Sequence, residues 1–292
     1  MIRESLVTGI HESKASIRRM RTARGATWPC SGRPIASTVP PVITAFDDVT
    51  IYQLLLVAGV ALFASVLGGV AGYGTGALMP LILVPMVGAE QVVPIIALAG
   101  LLTNSGRVLA FLRFVDWHRV RLVMIGAIPP CLITAYGYTL LTGKGAQLVI
   151  GTMLVLTVPL RYMLRRRSVV LHSRGLVLGS VGYGAAVGGT VGAGVILLSL
   201  LMAAGLAGSA VIATDAVLSI VIGVSRLMVF GFAGALTPKV IAFALLIGIV
   251  AFPGAFLAKT FVARMPIHVH TAVLDAVVLL GGAVMVFGAL TQ

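Results

Sequence analysis

Two arginines, Arg107 in LLTNSGRVLAF and Arg226 in IVIGVSRLMVF, stand inside long apolar runs. A guanidinium in an apolar span is expensive, so it points to an anionic partner or ligand, or to a side chain snorkelling toward a membrane face. Arg107 lies about five residues before its run ends, roughly 7–8 Å along a helix and within snorkelling reach. In the second run Asp215, Ser219, Ile222 and Arg226 share one helix face, because eleven residues make close to three turns. Their counterparts in the first run are Ile96, Gly100, Thr103 and Arg107, so the acid occurs once. An acid at this place in one half only suits either proton coupling or an ion pair with a neighbouring helix.

Glycine-rich interruptions precede both arginine runs. GGVAGYGTGALMP, Gly68 to Pro80, carries five glycines in an apolar region, and GGTVGAGVILL follows the same pattern from Gly188. One reading is close helix packing, which small residues permit in membranes. The other is an opened helix whose free amides and positive dipole end receive an anion. On that second reading the ligand groups are Gly72, Gly74, Thr75 and Gly76 in the first break and Thr190, Gly192 and Gly194 in the second. Thr103 and Asn104 join them from the first arginine run, with Arg107 and Arg226 attracting the charge. GYGTG lacks the spacing and the strand-turn-helix setting of a dinucleotide site. His268 and His270 are two apart, which is not helical metal-ligand spacing, and no metal or cofactor is expected.

The elements that position these residues follow from composition. The chain has 292 residues, 59% of them hydrophobic and 10% charged, against roughly 25% charged in a soluble domain. The expected fold class is therefore all-α: a polytopic helical membrane protein, since spans in lipid must satisfy their own backbone groups. Apolar segments fall at about 51–71, 76–88, 91–112, 119–141, 146–164, 175–188, 194–204, 208–230, 239–258 and 270–290, giving 8–10 membrane segments with 76–88 and 194–204 too short to span alone. A shift of 118 sets Gly74 on Gly192 and Gly76 on Gly194, and a shift of 119 sets Val92 on Val211, Arg107 on Arg226 and Phe111 on Phe230. The chain thus reads as two homologous halves with Gly-broken helices, 51–164 and 175–292, joined by a basic linker at 165–174. Such duplication is common in secondary transporters, whose sites lie between the repeats.

Residues 1–50 read as a basic, disordered tail, with seven Arg or Lys and two Glu up to residue 46. The net charge of +13 follows from this tail and the short loops, which fits cytoplasmic loop topology rather than nucleic-acid binding. If each short segment completes a broken span, there are eight crossings and parallel repeats. If each counts separately, there are ten and the repeats are inverted. A cytoplasmic basic tail favours eight. Cys30 and Cys131 form no metal or disulfide pattern.

The order GYGTGALMP, LLTNSGR, VDWHRV, then GGTVGAG, AVIATDA and PGAFLAKTFVARMP, resembles the TauE/SafE sulfite exporter family, which is grouped with sulfonate uptake permeases. The resemblance covers roughly residues 51–290. It implies a secondary transporter in a bacterial-type cell membrane that moves a small anion, such as sulfite, a sulfonate or another organosulfur compound. Protons are the candidate coupling ion, through Asp215. The competing readings are an intramembrane enzyme, disfavoured by isolated acids and the lack of a mid-span His, and a non-transporting assembly or sensor subunit.

Overall fold

The computed structural model describes residues 49–71, 74–166, 171–261 and 267–291. The basic tail, Gly72, Arg167 and Arg264 lie outside them. Ten α-helices and no strand occur among the described residues. They are α1 (Ile51–Ala71), α2 (Gly74–Val87), α3 (Ala89–Phe111), α4 (Trp117–Thr139), α5 (Gly143–Arg166), α6 (Ser173–Gly189), α7 (Gly194–Ala203), α8 (Ser209–Phe232), α9 (Pro238–Phe261) and α10 (Ile267–Thr291). Each covers one expected segment in order. Helices α3, α4, α5 and α8 are long and apolar enough to cross a membrane. Exposed Leu, Ile, Val and Phe side chains on α4, α8 and α10 suit a lipid-facing surface. The chain is a polytopic helical membrane protein.

Interior prolines do not end these helices. Pro80 and Pro85 sit inside α2, Pro129 and Pro130 inside α4, and Pro253 inside α9. Packed neighbours tolerate the lost backbone bonds in transmembrane helices.

Helix α6 and the ten-residue α7 form a hairpin rather than one broken span. The Leu171 amide, just before α6, donates to the Ala203 carbonyl at the end of α7 over 2.8 Å. Placed end to end, the two helices would separate those groups by roughly 40 Å at 1.5 Å per residue. The hairpin tip is the non-helical stretch Thr190–Ala193, where Thr190 is extended and Gly192 has φ 83°.

Packing fixes the helix directions. Gly126 of α4 lies against Val177 and Ser180 of α6, and Gly189 lies against Thr134 and Tyr138, so α4 and α6 run parallel. Asp215 of α8 meets Arg107 of α3, while Gly223 meets Leu101 and Ala97, so these two run antiparallel. Helices α5 and α10 are also antiparallel, with Gln147 Nε2 donating to the Met285 carbonyl and Gly282 against Val155. The packing pattern is preserved when the first five helices are exchanged for the last five: α4 on α6 becomes α9 on α1, and α4 on α8 becomes α9 on α3. Equivalent helices α3 and α8 point in opposite directions. The eight-crossing, parallel arrangement favoured by tail charge is therefore overturned; helix direction follows from packing that net charge does not encode.

At one end of the bundle the start of α4 clasps the end of α7. Asp116 caps α4 by accepting from the Arg119 amide at 3.0 Å, and its own amide donates to Thr214 Oγ1 at 3.1 Å. Arg119 pairs with Asp116 and donates to the Ala204 carbonyl through Nε and Nη2, at 3.1 and 2.6 Å. Partial desolvation pushes the Asp116 carboxyl up, but the Arg119 amide and guanidinium and the His118 amide outweigh it and hold the group below the usual aspartate range. A depressed carboxyl contributes stability above its unfolded value, and that contribution is lost as pH falls through the folded value. Asp116→Asn, which keeps a capping oxygen, should therefore lower the thermal midpoint by the equivalent of about 1 kcal/mol at neutral pH. Thermal scans should show the gap closing below about pH 4; a gap that widens on acidification would exclude the ion pair as its source.

Candidate functional site

The two glycine-rich breaks meet. A Cβ added to Gly76, in the first turn of α2, would fall 3.2 Å from the Gly192 amide nitrogen at the tip of the α6–α7 hairpin. Only glycine fits comfortably on both sides: Gly76 for want of space, Gly192 because its φ of 83° is strained for L side chains. Gly192→Ala should cost about 1–2 kcal/mol. Thermal denaturation of the purified protein measures it; an unchanged midpoint would mean that the tip relaxes freely.

Beside this contact lies a cavity of about 140 Å³, several times the roughly 10–15 Å³ that one water requires on the same measure. Thr75 and Gly76 of α2 line it, with Ile96, Gly100, Thr103 and Asn104 from the middle of α3. Tyr183 of α6, the tip residues Thr190 to Ala193, and Gly194 at the start of α7 close another side. Ser219, Ile222 and Arg226 reach it from the middle of α8. Ala193 offers no capping side chain, so the first amides of α7 have no side-chain acceptor where the helix faces the cavity.

Arg226 is only 6% exposed. Its Nη2 donates to the Thr190 carbonyl at 3.2 Å, and its guanidinium lies 5.8 Å from the centre of the Phe230 ring. Its Nε has no hydrogen-bond partner, and no salt bridge to it is found among the described residues. Among the described residues no Asp or Glu lines the cavity.

Arg107 differs. Its Nη2 lies 3.1 Å from Asp215 Oδ2, and its Nη1 donates to Asn104 Oδ1 at 3.0 Å. The side chain is paired across α3 and α8 instead of snorkelling. Neither Arg107 nor Asp215 lines the cavity, and Arg107 reaches it only through Asn104, whose Nδ2 is held by the Gly100 carbonyl at 2.8 Å. The Thr103 and Thr190 hydroxyls donate to the Gly100 and Ala186 carbonyls, three and four residues back along the chain, leaving lone pairs toward other partners.

The fold thus brings together Thr75, Gly76, Thr103, Asn104, Thr190, Gly192, Gly194 and Arg226, and leaves Gly74, Arg107 and Asp215 outside the lining. Gly74 begins α2. Tyr183 is a lining residue that sequence reasoning missed. It precedes Thr190 by seven residues, two helical turns, and so lies on the face that reaches the tip. Asp275 is buried in α10, away from the cavity. No group of three or more His, Cys, Asp or Glu that could hold a metal occurs among the described residues.

Comparison with curated proteins and with solved structures gives no match. A family model described as sulfite exporter TauE/SafE matches residues 57–285, from within α1 to within α10. Over that span the chain belongs to the sulfite exporter TauE/SafE family.

Proposed function

We propose that this protein is a secondary transporter of a bacterial-type cell membrane that binds a small anion in the cavity beside the Gly76–Gly192 contact. The observation that carries the proposal is Arg226, a buried cation facing a cavity whose described lining holds no carboxylate. An unpaired buried charge is costly, and an anionic ligand is the partner that offsets the cost. Thr75, Thr103, Thr190, Ser219 and Tyr183 supply hydroxyls, and the start of α7 supplies amides.

Antiparallel pairing of the equivalent helices α3 and α8, and of α5 and α10, supports two inverted repeats. Inverted repeats with interrupted helices around a central site suit alternating access, in which one repeat rocks against the other. Family membership supports a sulfur oxyanion as cargo, either sulfite or a sulfonate. Proton coupling through Asp215 is a finer part of the proposal and would have to act through its pair with Arg107.

Proteoliposomes loaded with sulfite or methanesulfonate test the reading. Flux that depends on the protein and falls on Arg226→Ala is expected, and flux indifferent to that change would overturn it.

A further inference from the structure

We infer that the cavity selects singly charged anions over doubly charged ones and that Ile96 sets this preference. The inference rests on the anion site proposed above and specifies its ligand. It comes from a difference between two equivalent places.

In one, Arg107 of α3 meets Asp215 of α8 at 3.1 Å, and the two charges cancel. In the other, Arg226 stands where Arg107 stands, and the residue equivalent to Asp215 is Ile96, at the same shift of 119. Ile96 and Arg226 line the same cavity. The chain has thus built one arginine–carboxylate pair and left its twin half-made, with an isoleucine where the carboxylate would be. An anion beside Ile96 completes the second pair.

The surrounding charges fix its valence. Among the described residues Arg226 is the only Lys, Arg, Asp or Glu in the lining. The starts of α2 and α7 bring partial positive charge to the cavity, α6 ends at the same tip at Gly189 with an opposing partial charge, and these fractions are small beside the full charge of Arg226. Among the described lining residues one full positive charge is present. A monoanion neutralises it. A dianion would leave one negative charge buried against Ile96, Val187 and Ile222, where desolvation opposes it.

Methanesulfonate and methylphosphonate test this, because both carry three oxygens and a methyl on a tetrahedral centre. Methanesulfonate is singly charged throughout, whereas methylphosphonate is singly charged in mildly acidic buffer and doubly charged in alkaline buffer. Calorimetric titration of the purified protein should give similar affinities for the two in acid. In alkaline buffer methylphosphonate should bind at least about tenfold more weakly than methanesulfonate. Ile96→Asp should bind methanesulfonate at least about tenfold more weakly than Ile96→Asn, a variant of the same size without the charge. Equal binding of both ligands in alkaline buffer would overturn charge selection and leave the anion site standing. Equal binding by the two Ile96 variants would remove Ile96 from the selection. Absence of binding by either ligand in either buffer would overturn the inference together with the site on which it rests.

Discussion

Arg226→Ala should abolish anion-dependent flux in proteoliposomes and weaken anion binding by about a hundredfold, while the thermal midpoint of the ligand-free protein stays the same or rises. The binding loss follows from removing a charge-assisted contact worth about 1.5–3 kcal/mol in a buried site. The stability change has the opposite sign to the usual core truncation. Arg226 is 6% exposed and has no salt-bridge partner among the described residues, so in the ligand-free state its desolvation is offset by a carbonyl and a ring face but by no opposite charge. Its fixed contact, to the Thr190 carbonyl at 3.2 Å, holds the hairpin tip but does not neutralise the guanidinium. Arg226→Lys keeps the charge and loses the planar fork, so it should retain binding at an intermediate level. A large fall in the ligand-free midpoint of Arg226→Ala, with flux unchanged, would instead make Arg226 a structural residue.

The helix inventory was readable because length and hydropathy determine where a chain can be helical in lipid. Even the short segments 76–88 and 194–204 correspond to α2 and α7. Their direction was not readable. A ten-residue helix after a glycine-rich break has the same composition whether it continues its predecessor or folds back on it, and the bond from Leu171 to Ala203 is what distinguishes the two. The arginines show the same division. Their equivalence is evident from a shift of 119, and so is the presence of one acid. That Asp215 pairs across to Arg107, the arginine of the other half, instead of serving Arg226 eleven residues along its own helix, depends on the antiparallel contact of α3 with α8. Hydropathy also passed over Tyr183, since an aromatic residue among small apolar ones reads as packing until Thr190 and Arg226 are placed beside it.

Removing Arg107 should have the reverse effect of removing Arg226. Arg107→Ala strands Asp215, whose side chain is 2% exposed and whose Oδ1 already lacks a partner. Breaking a buried pair from one side costs about 3–5 kcal/mol, a fall in thermal midpoint on the order of 10 °C for a chain of this size. Asp215→Ala should be comparably destabilising, because among the described residues it leaves the Arg107 charge held by Asn104 alone. Replacing both, as Arg107→Met with Asp215→Leu, removes the uncompensated charge and should recover most of the loss, since buried ion pairs are often replaceable by apolar residues of similar volume. Thermal scans of the two single variants and the double variant form the cycle, and additive losses would mean that the two residues do not act as a pair. The rescued double variant also decides whether Asp215 does more than neutralise Arg107. It should still bind anion, because Arg226 and the cavity lining remain. If Asp215 carries the coupling proton, the double variant should exchange anion across the bilayer but no longer accumulate it on an imposed pH gradient. Continued accumulation would leave Asp215 with the single task of keeping Arg107 neutral beside the cavity that Arg226 lines.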